Sequence, residues 1–199
     1  MKALKRLLTI AVVVSGIGLG SSCRKVEMIP TSPTEKGAFE LFIQDAMGAN
    51  YDEVNLDIQT VEVYVDNETP GWHFIKTSSG VYNLLKLHST GVLLSEESGI
   101  PAGKITFMRL MAGQKNSVKF KGQYYPLKVD APRGLLVIMP SGYTIHNHAK
   151  TDVRIDFNSA LSVSLSGEET AGPSYIFRPA ITVVKRNSPT PGFEDVSTQ

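Results

Sequence analysis

The chain has 199 residues, with 20 Lys and Arg against 19 Asp and Glu, 42% hydrophobic residues and one cysteine. Charges this evenly balanced exclude the basic footprint of a nucleic-acid binder, and one cysteine excludes an internal disulfide framework. The hydrophobic fraction is that of a chain able to bury a core.

The first element reads as an export signal. Residues 1–6 carry Lys2, Lys5 and Arg6, residues 7–14 form an apolar run, and residues 15–22 are mostly small. That order is a secretory signal peptide over residues 1–22. The competing reading, a retained membrane span, needs roughly 20 apolar residues, and the run is shorter.

The ending Leu19-Gly20-Ser21-Ser22-Cys23 resembles the lipobox read by lipoprotein signal peptidase. Gly20 stands three places before the cysteine, where leucine is usual, and Leu19 lies one place further back, a looser box similar to those of Bacteroidetes-type lipoproteins. The resemblance implies cleavage before Cys23, a diacylglycerol thioether on its sulfur and a further acyl chain on the freed amine. Such lipidation accounts for a lone thiol in an exported chain, and stable anchoring takes more than one acyl chain.

Cleavage removes Lys2, Lys5 and Arg6, so 17 basic residues face 19 acidic ones and the mature chain is slightly acidic. Membrane contact is expected through the lipid anchor. Residues 23–36 are polar and interrupted by Pro30 and Pro33, the composition of a flexible tether. Surface-displayed Bacteroidetes lipoproteins carry an acidic run after the cysteine, whereas here Arg24 and Lys25 follow with Glu27 nearby. That difference points to the periplasmic face of the outer membrane in a bacterial envelope.

Residues 37–186 are enough for one domain with its own core. Period-two alternation runs through them: Phe39, Leu41 and Ile43 alternate with Glu40 and Gln44. Within 54–65 the apolar parity changes, from Val54, Leu56 and Ile58 to Val61, Val63 and Val65. A strand kept in one sheet needs an extra residue there, which predicts a bulge or a strand switch near Gln59 and Thr60.

Further strands are read at 72–76, 104–111, 117–121 and 135–139, at Val153, Ile155 and Phe157, and at 161–165 and 176–185. Turn chemistry separates them at 67–71, 101–103, 121–123, 140–142 and 172–173. Residues 83–87 read as a helical turn, and residues 187–199, with Pro189, Pro191 and Gly192, as a disordered tail. Short strands with frequent turns and no amphipathic helix predict an all-β fold, a single antiparallel β-sandwich.

Leu41-Phe42-Ile43-Gln44-Asp45-Ala46, followed by Tyr51-Asp52-Glu53-Val54-Asn55-Leu56, resembles the opening of the domain-of-unknown-function 4382 family, with Met47 where proline is common. Later pieces agree in order: Asn83-Leu84-Leu85-Lys86-Leu87, Ile100-Pro101-Ala102-Gly103, Met108-Arg109-Leu110, Arg154-Ile155-Asp156-Phe157 and Phe177-Arg178-Pro179-Ala180-Ile181. The resemblance implies a transthyretin-like or immunoglobulin-like sandwich in exported bacterial proteins and carries no established activity.

Candidate sites are few. His146 and His148, two apart on a strand, would face one way and offer two imidazoles to a metal, but a closed zinc site takes four ligands and the sequence places no others. The reading preferred is a solvated or turn-associated pair. Asp45, Asn50, Asp52 and Glu53 offer oxygens for calcium, though without EF-hand spacing; Asp and Asn also favour turns, and a turn is preferred.

Glu96 and Glu97 read as solvated carboxylates in a Ser/Gly-rich loop. Trp72, Tyr124 and Tyr125 follow turns, where aromatics either plug the sandwich ends or form a stacking platform for sugar; Trp72 reads first as a core plug, and the two tyrosines should point to opposite faces. Arg109 and Arg178 sit in apolar strands and need carboxylate partners, for which Asp57 and Asp156 are the expectation.

No nucleophile elbow, phosphate loop or Cys/His pair occurs in the mature chain, so neither a catalytic residue nor a cofactor is assigned. Three functions remain: a noncatalytic binding or adhesion module for carbohydrate or an envelope protein, a structural subunit of an envelope assembly in which a sheet edge exchanges strands, and, last, a hydrolase.

Overall fold

The structure, a computed structural model, describes residues 35–46, 48–87, 91–169 and 172–184. The expected signal peptide, Cys23, most of the expected tether, His88 and residues 187–199 lie outside the described residues. No helix among the described residues is long and apolar enough to cross a membrane.

The strands are β1 (Lys36–Gln44), β2 (Glu53–Asp66), β3 (Gly71–Ile75), β4 (Gly80–Asn83), β5 (Val92–Pro101), β6 (Gly103–Ala112), β7 (Ser117–Phe120), β8 (Gln123–Val129), β9 (Leu135–Ile145), β10 (Lys150–Phe157), β11 (Val163–Glu169), β12 (Gly172–Phe177) and β13 (Ile181–Val184). A helical turn occupies Leu84–Lys86, and a four-residue helix, α1, occupies Ser159–Ser162. The small sheet has the order β13-β10-β1-β5; the large one runs β11-β12-β8-β7-β2-β6-β9, with β3 and β4 also paired to β2.

The two sheets pack as the expected all-β sandwich, but they are mixed rather than antiparallel throughout. β1 pairs β10 in parallel, Leu41 beside Val153, and β12 pairs β8 in parallel, Ile176 beside Lys128. Alternation fixes which face of a strand is apolar and is indifferent to strand direction. Direction here is set by connections of many tens of residues.

β2 is the spine of the large sheet. Its first half pairs β4 on one edge and β7 on the other; its second half pairs β3 and β6. The register against β6 shifts between Ile58 and Thr60, leaving Gln59 as the extra residue where the parity change predicted it. The bulge lets Val54, Leu56 and Ile58 before it, and Val61, Val63 and Val65 after it, all point into one core with Phe39, Leu41, Ile43, Val153, Ile155 and Phe157 of the small sheet.

Asp57, buried beside the bulge, holds the connection from β6 to β7. Its carboxylate accepts from the Lys115 N–H (3.0 Å) and the Gln59 side-chain amide. Its backbone donates to Asn116 Oδ1 (2.8 Å) and accepts from the Gly113 N–H (2.8 Å). A Cβ on Gly113 would lie 2.1 Å from Asp57 Oδ2, so this position takes a residue without a side chain.

Other departures from the sequence reading have local causes. The stretch with Glu96 and Glu97, expected as a loop, is β5, antiparallel to β1; Leu94 and Ile100 are its fully buried apolar side chains, too widely spaced for a period-two signal. The turn at Pro140-Ser141-Gly142 is a bulge within β9, where Met139, Pro140, Ser141 and Gly142 stand against Thr106. The strand read over 176–185 is two strands in different sheets, divided at Arg178-Pro179, since Pro179 has no N–H to continue a ladder. At 161–165 the strand begins at Val163, because Asn158 caps α1 by accepting the Leu161 N–H (3.1 Å).

Candidate functional site: an apolar platform on the large sheet

Because the bulge turns Val61, Val63 and Val65 inward, Glu62 and Tyr64 face outward. Register then carries two rows across four strands. Tyr64 stands between Trp72 of β3 and Phe107 of β6, and Phe107 beside Ile138 of β9. One step along, Glu62 stands between Phe74 and Arg109, and Arg109 beside Leu136. Trp72 is 38% exposed, Phe74 71%, Phe107 38%, Leu136 52% and Ile138 58%, so this outer face is an apolar patch open to solvent.

The rings lock one another edge to face. Tyr64 meets Trp72 at 5.5 Å and 69°, and Phe107 at 6.2 Å and 71°. Arg109 Nε donates to Glu62 Oε2, and its guanidinium lies 4.4 Å from the centre of the Trp72 ring. A buried carboxylate is thus neutralised beneath the patch by an arginine that also braces the tryptophan.

At its β9 side the platform runs into a cavity of about 280 Å³ between the β9 bulge and β13, lined by Ile138, Tyr143, Ile181 and Val183 among others. Burial pushes the Tyr143 hydroxyl above its usual pKa, and its oxygen has no hydrogen-bond partner among the described residues.

Several sequence expectations change here. Trp72, read first as a core plug, stands on the outer face because it pairs with Tyr64, opposite in parity to Val63 and Val65. Arg109 pairs with Glu62 and Arg178 with Asp130, not with Asp57 or Asp156. Register places Glu62 directly opposite Arg109, Asp57 is committed to residues 113–116, and Asp156 accepts from Gln44 Nε2 (2.9 Å) and the Ala46 N–H (3.1 Å).

The remaining candidates are scattered. Tyr124 is exposed, donating to Glu53 Oε1 (3.1 Å) beneath Lys119, while Tyr125 packs inward against Tyr175 at 5.5 Å. The Asn55 amide, with help from Tyr124 and Lys119, holds the Glu53 carboxyl below its usual range. Asp52 accepts from the Gly122 N–H (2.7 Å) and so ties the loop before β2 to the β7–β8 turn, whereas Asp45 is buried at the end of β1.

His146 and His148 lie in the turn from β9 to β10, with His148 at φ +54°, so they do not share the same-face geometry of a strand. Among the described residues no group of three or more His, Cys, Asp or Glu is placed to hold a metal ion.

On the small sheet, register sets Glu96, Glu40 and Asp152 in one row, with Lys150 Nζ 2.8 Å from Glu40 Oε1. That bond, with the charges of Glu40, Asp152 and Glu96, raises the Lys150 pKa. The cluster contains its own cation.

Sequence reasoning missed Tyr64, Phe74, Phe107, Leu136 and Ile138. A signal existed, since 135–139 is apolar at both parities and 72–74 carries rings two apart. A strand apolar on both faces either lies between two layers or exposes a sticky surface, and only the neighbours decide which.

Fold and surface together define a β-sandwich domain with a pre-formed apolar face. The chain belongs to the family described as domain of unknown function (DUF4382), whose model matches residues 36–179. No curated protein and no solved structure matches it.

Proposed function

We propose that this protein is a noncatalytic, lipid-anchored module of the bacterial envelope that docks a protein partner on the outer face of the large sheet. The observation that carries the reading is the two-row platform of Trp72, Tyr64, Phe107 and Ile138 beside Phe74, Glu62, Arg109 and Leu136. Its composition is that of a protein interface centre, where aromatics and arginine are enriched and lysine is depleted.

Sugar binding needs an open ring face for stacking. Arg109 covers one face of Trp72, and Leu136 and Ile138 add aliphatic side chains on which a sugar has no ring to stack, which favours protein over carbohydrate. Cys23 is the anchor in this reading, and residues 24–34 the spacer that lets the platform reach its partner.

A photo-crosslinking residue at Phe74 or Ile138, introduced in the native cell, should trap one protein, and the same residue at Lys121 should not. The double variant Leu136→Asp, Ile138→Asp should abolish binding of that protein while still melting cooperatively, since both side chains are more than half exposed. Equal trapping from Lys121, or glycan binding lost on Trp72→Ala with no protein trapped, would refute the proposal. Cys23→Ser should move the folded domain from the membrane to the soluble fraction; retention in the membrane would overturn the anchor.

A further inference from the structure

Arg109 has more donors than Glu62 can use. It stands on β6 and Trp72 on β3, with β2 between them, yet its guanidinium lies 4.4 Å from the centre of the Trp72 ring. Neighbouring strands are about 4.8 Å apart, so the side chain reaches across β2 to make that contact. The guanidinium therefore sits over the middle of the platform, between its two rows.

Its Nε donates to Glu62 Oε2, and the N–H groups on Nη1 and Nη2 donate to no protein acceptor among the described residues. The Arg109 side chain is 32% exposed and that of Glu62 7%, so the arginine is what a docking surface meets and the carboxylate lies beneath it. Trp72, Phe74 and Leu136 give these donors an apolar surround that a docked partner seals from water.

The flanking charges are arranged to match. Asp66 and Lys104 stand opposite one another at the far end of the platform. Beyond the Arg109 row lie two exposed cations, Lys76 two residues past Phe74 and Arg133 three before Leu136. The only carboxylate in the two rows is Glu62, which is buried and already engaged.

We infer that the docked protein presents an Asp or Glu side chain set among apolar residues, and that Arg109 receives this carboxylate on Nη1 and Nη2; the inference rests on the docking reading above. An apolar or cationic surface would seal the free N–H groups away from water with no acceptor, at a cost for each. A carboxylate takes two of them at once in the planar fork that arginine offers. Arg109 is then shared by two carboxylates, and Lys76 and Arg133 offset the surplus negative charge. Arginine and tryptophan in contact at the centre of a desolvated patch are the residue types that dominate binding.

Trp72 is the one tryptophan of the chain, so its fluorescence reads binding at Arg109 directly. The mature chain with Cys23→Ser is titrated with 4-phenylbutyrate and, separately, with its uncharged isostere 4-phenylbutyramide. The acid should half-saturate the signal at a several-fold lower concentration than the amide, and the gap should narrow in high salt. Glu62→Gln should widen the gap, because the competing carboxylate is gone; an arginine that only braces Trp72 and neutralises Glu62 gives no such gain. Glu62→Gln combined with Arg109→Gln leaves no charge unpaired and should bring acid and amide together. Should that double variant fail to fold, Arg109→Lys takes its place, keeping the charge over Glu62 but losing the fork, and must narrow the gap.

In the native cell, a photo-crosslinking residue at Ile138 should trap about tenfold less protein in the double variant and no less in Glu62→Gln. The trapped peptide should carry Asp or Glu between apolar residues. Acid and amide binding alike to the unsubstituted chain, or trapping unchanged in the double variant, overturns the Arg109 assignment and leaves the docking reading standing. A chain that traps no protein overturns both.

Discussion

Replacing Asp57 by Ala removes the acceptor that holds the β6–β7 connection to the spine. Asp57 is 3% exposed and its carboxylate accepts the Lys115 N–H and the Gln59 amide, so the variant removes both bonds from donors on residues that are themselves exposed. Hydrogen bonds to a charged group contribute about 1.5–3 kcal/mol each. Water entering beside Gln59 and Lys115 recovers part of this, so a net loss of about 3 kcal/mol is expected. For a domain of this size that lowers the melting temperature by roughly 6–12 °C.

Urea titration measures the loss directly, and hydrogen exchange should locate it, with the amides of Gly113, Lys115 and Asn116 losing protection ahead of those of β1 and β10. Gly113→Ala should fail in the same place, because its Cβ would strike the same carboxylate. A loss below about 1 kcal/mol, or protection lost uniformly across both sheets, would show that the clamp does not set local stability.

Two further perturbations address the bulge and the acidic row. Deleting Gln59 removes the extra residue and leaves Val54, Leu56, Ile58, Val61, Val63 and Val65 in strict alternation on the core face, with Thr60 following Ile58 as Met111 precedes Ala112, so the variant should keep cooperative melting; loss of the folded state would show that the bulge does more than correct the parity. Lys150 has its pKa raised by Glu40, so its contribution is complete below the ordinary lysine range and disappears as pH rises through the raised value. Lys150→Met should cost up to about 1 kcal/mol at neutral pH, being half exposed. The difference from the unsubstituted chain should vanish as pH rises through that raised value, as urea midpoints across pH would report. A constant difference at every pH would exclude the charge row as its cause.

Much of this protein could be read from single stretches of sequence. The alternation of Phe39, Leu41 and Ile43, the parity change within β2 and the Lys121-Gly122 turn are each local, because a strand's side-chain period and a turn's positive φ belong to a few consecutive residues.

What the tertiary structure decided is everything that depends on neighbours. β5 has its edge closed and its inward face chosen by β1 and the segment after β3, so its own residues show little pattern. The parallel pairing of β1 with β10 joins segments more than a hundred residues apart in the chain. The platform is the clearest case. Trp72, Tyr64, Phe107 and Ile138 lie on four strands, each reading as an ordinary apolar position beside its own neighbours. Cross-strand register, itself displaced by the bulges at Gln59 and at 139–142, brings them into one row, and register is a property of paired backbones that no single strand contains.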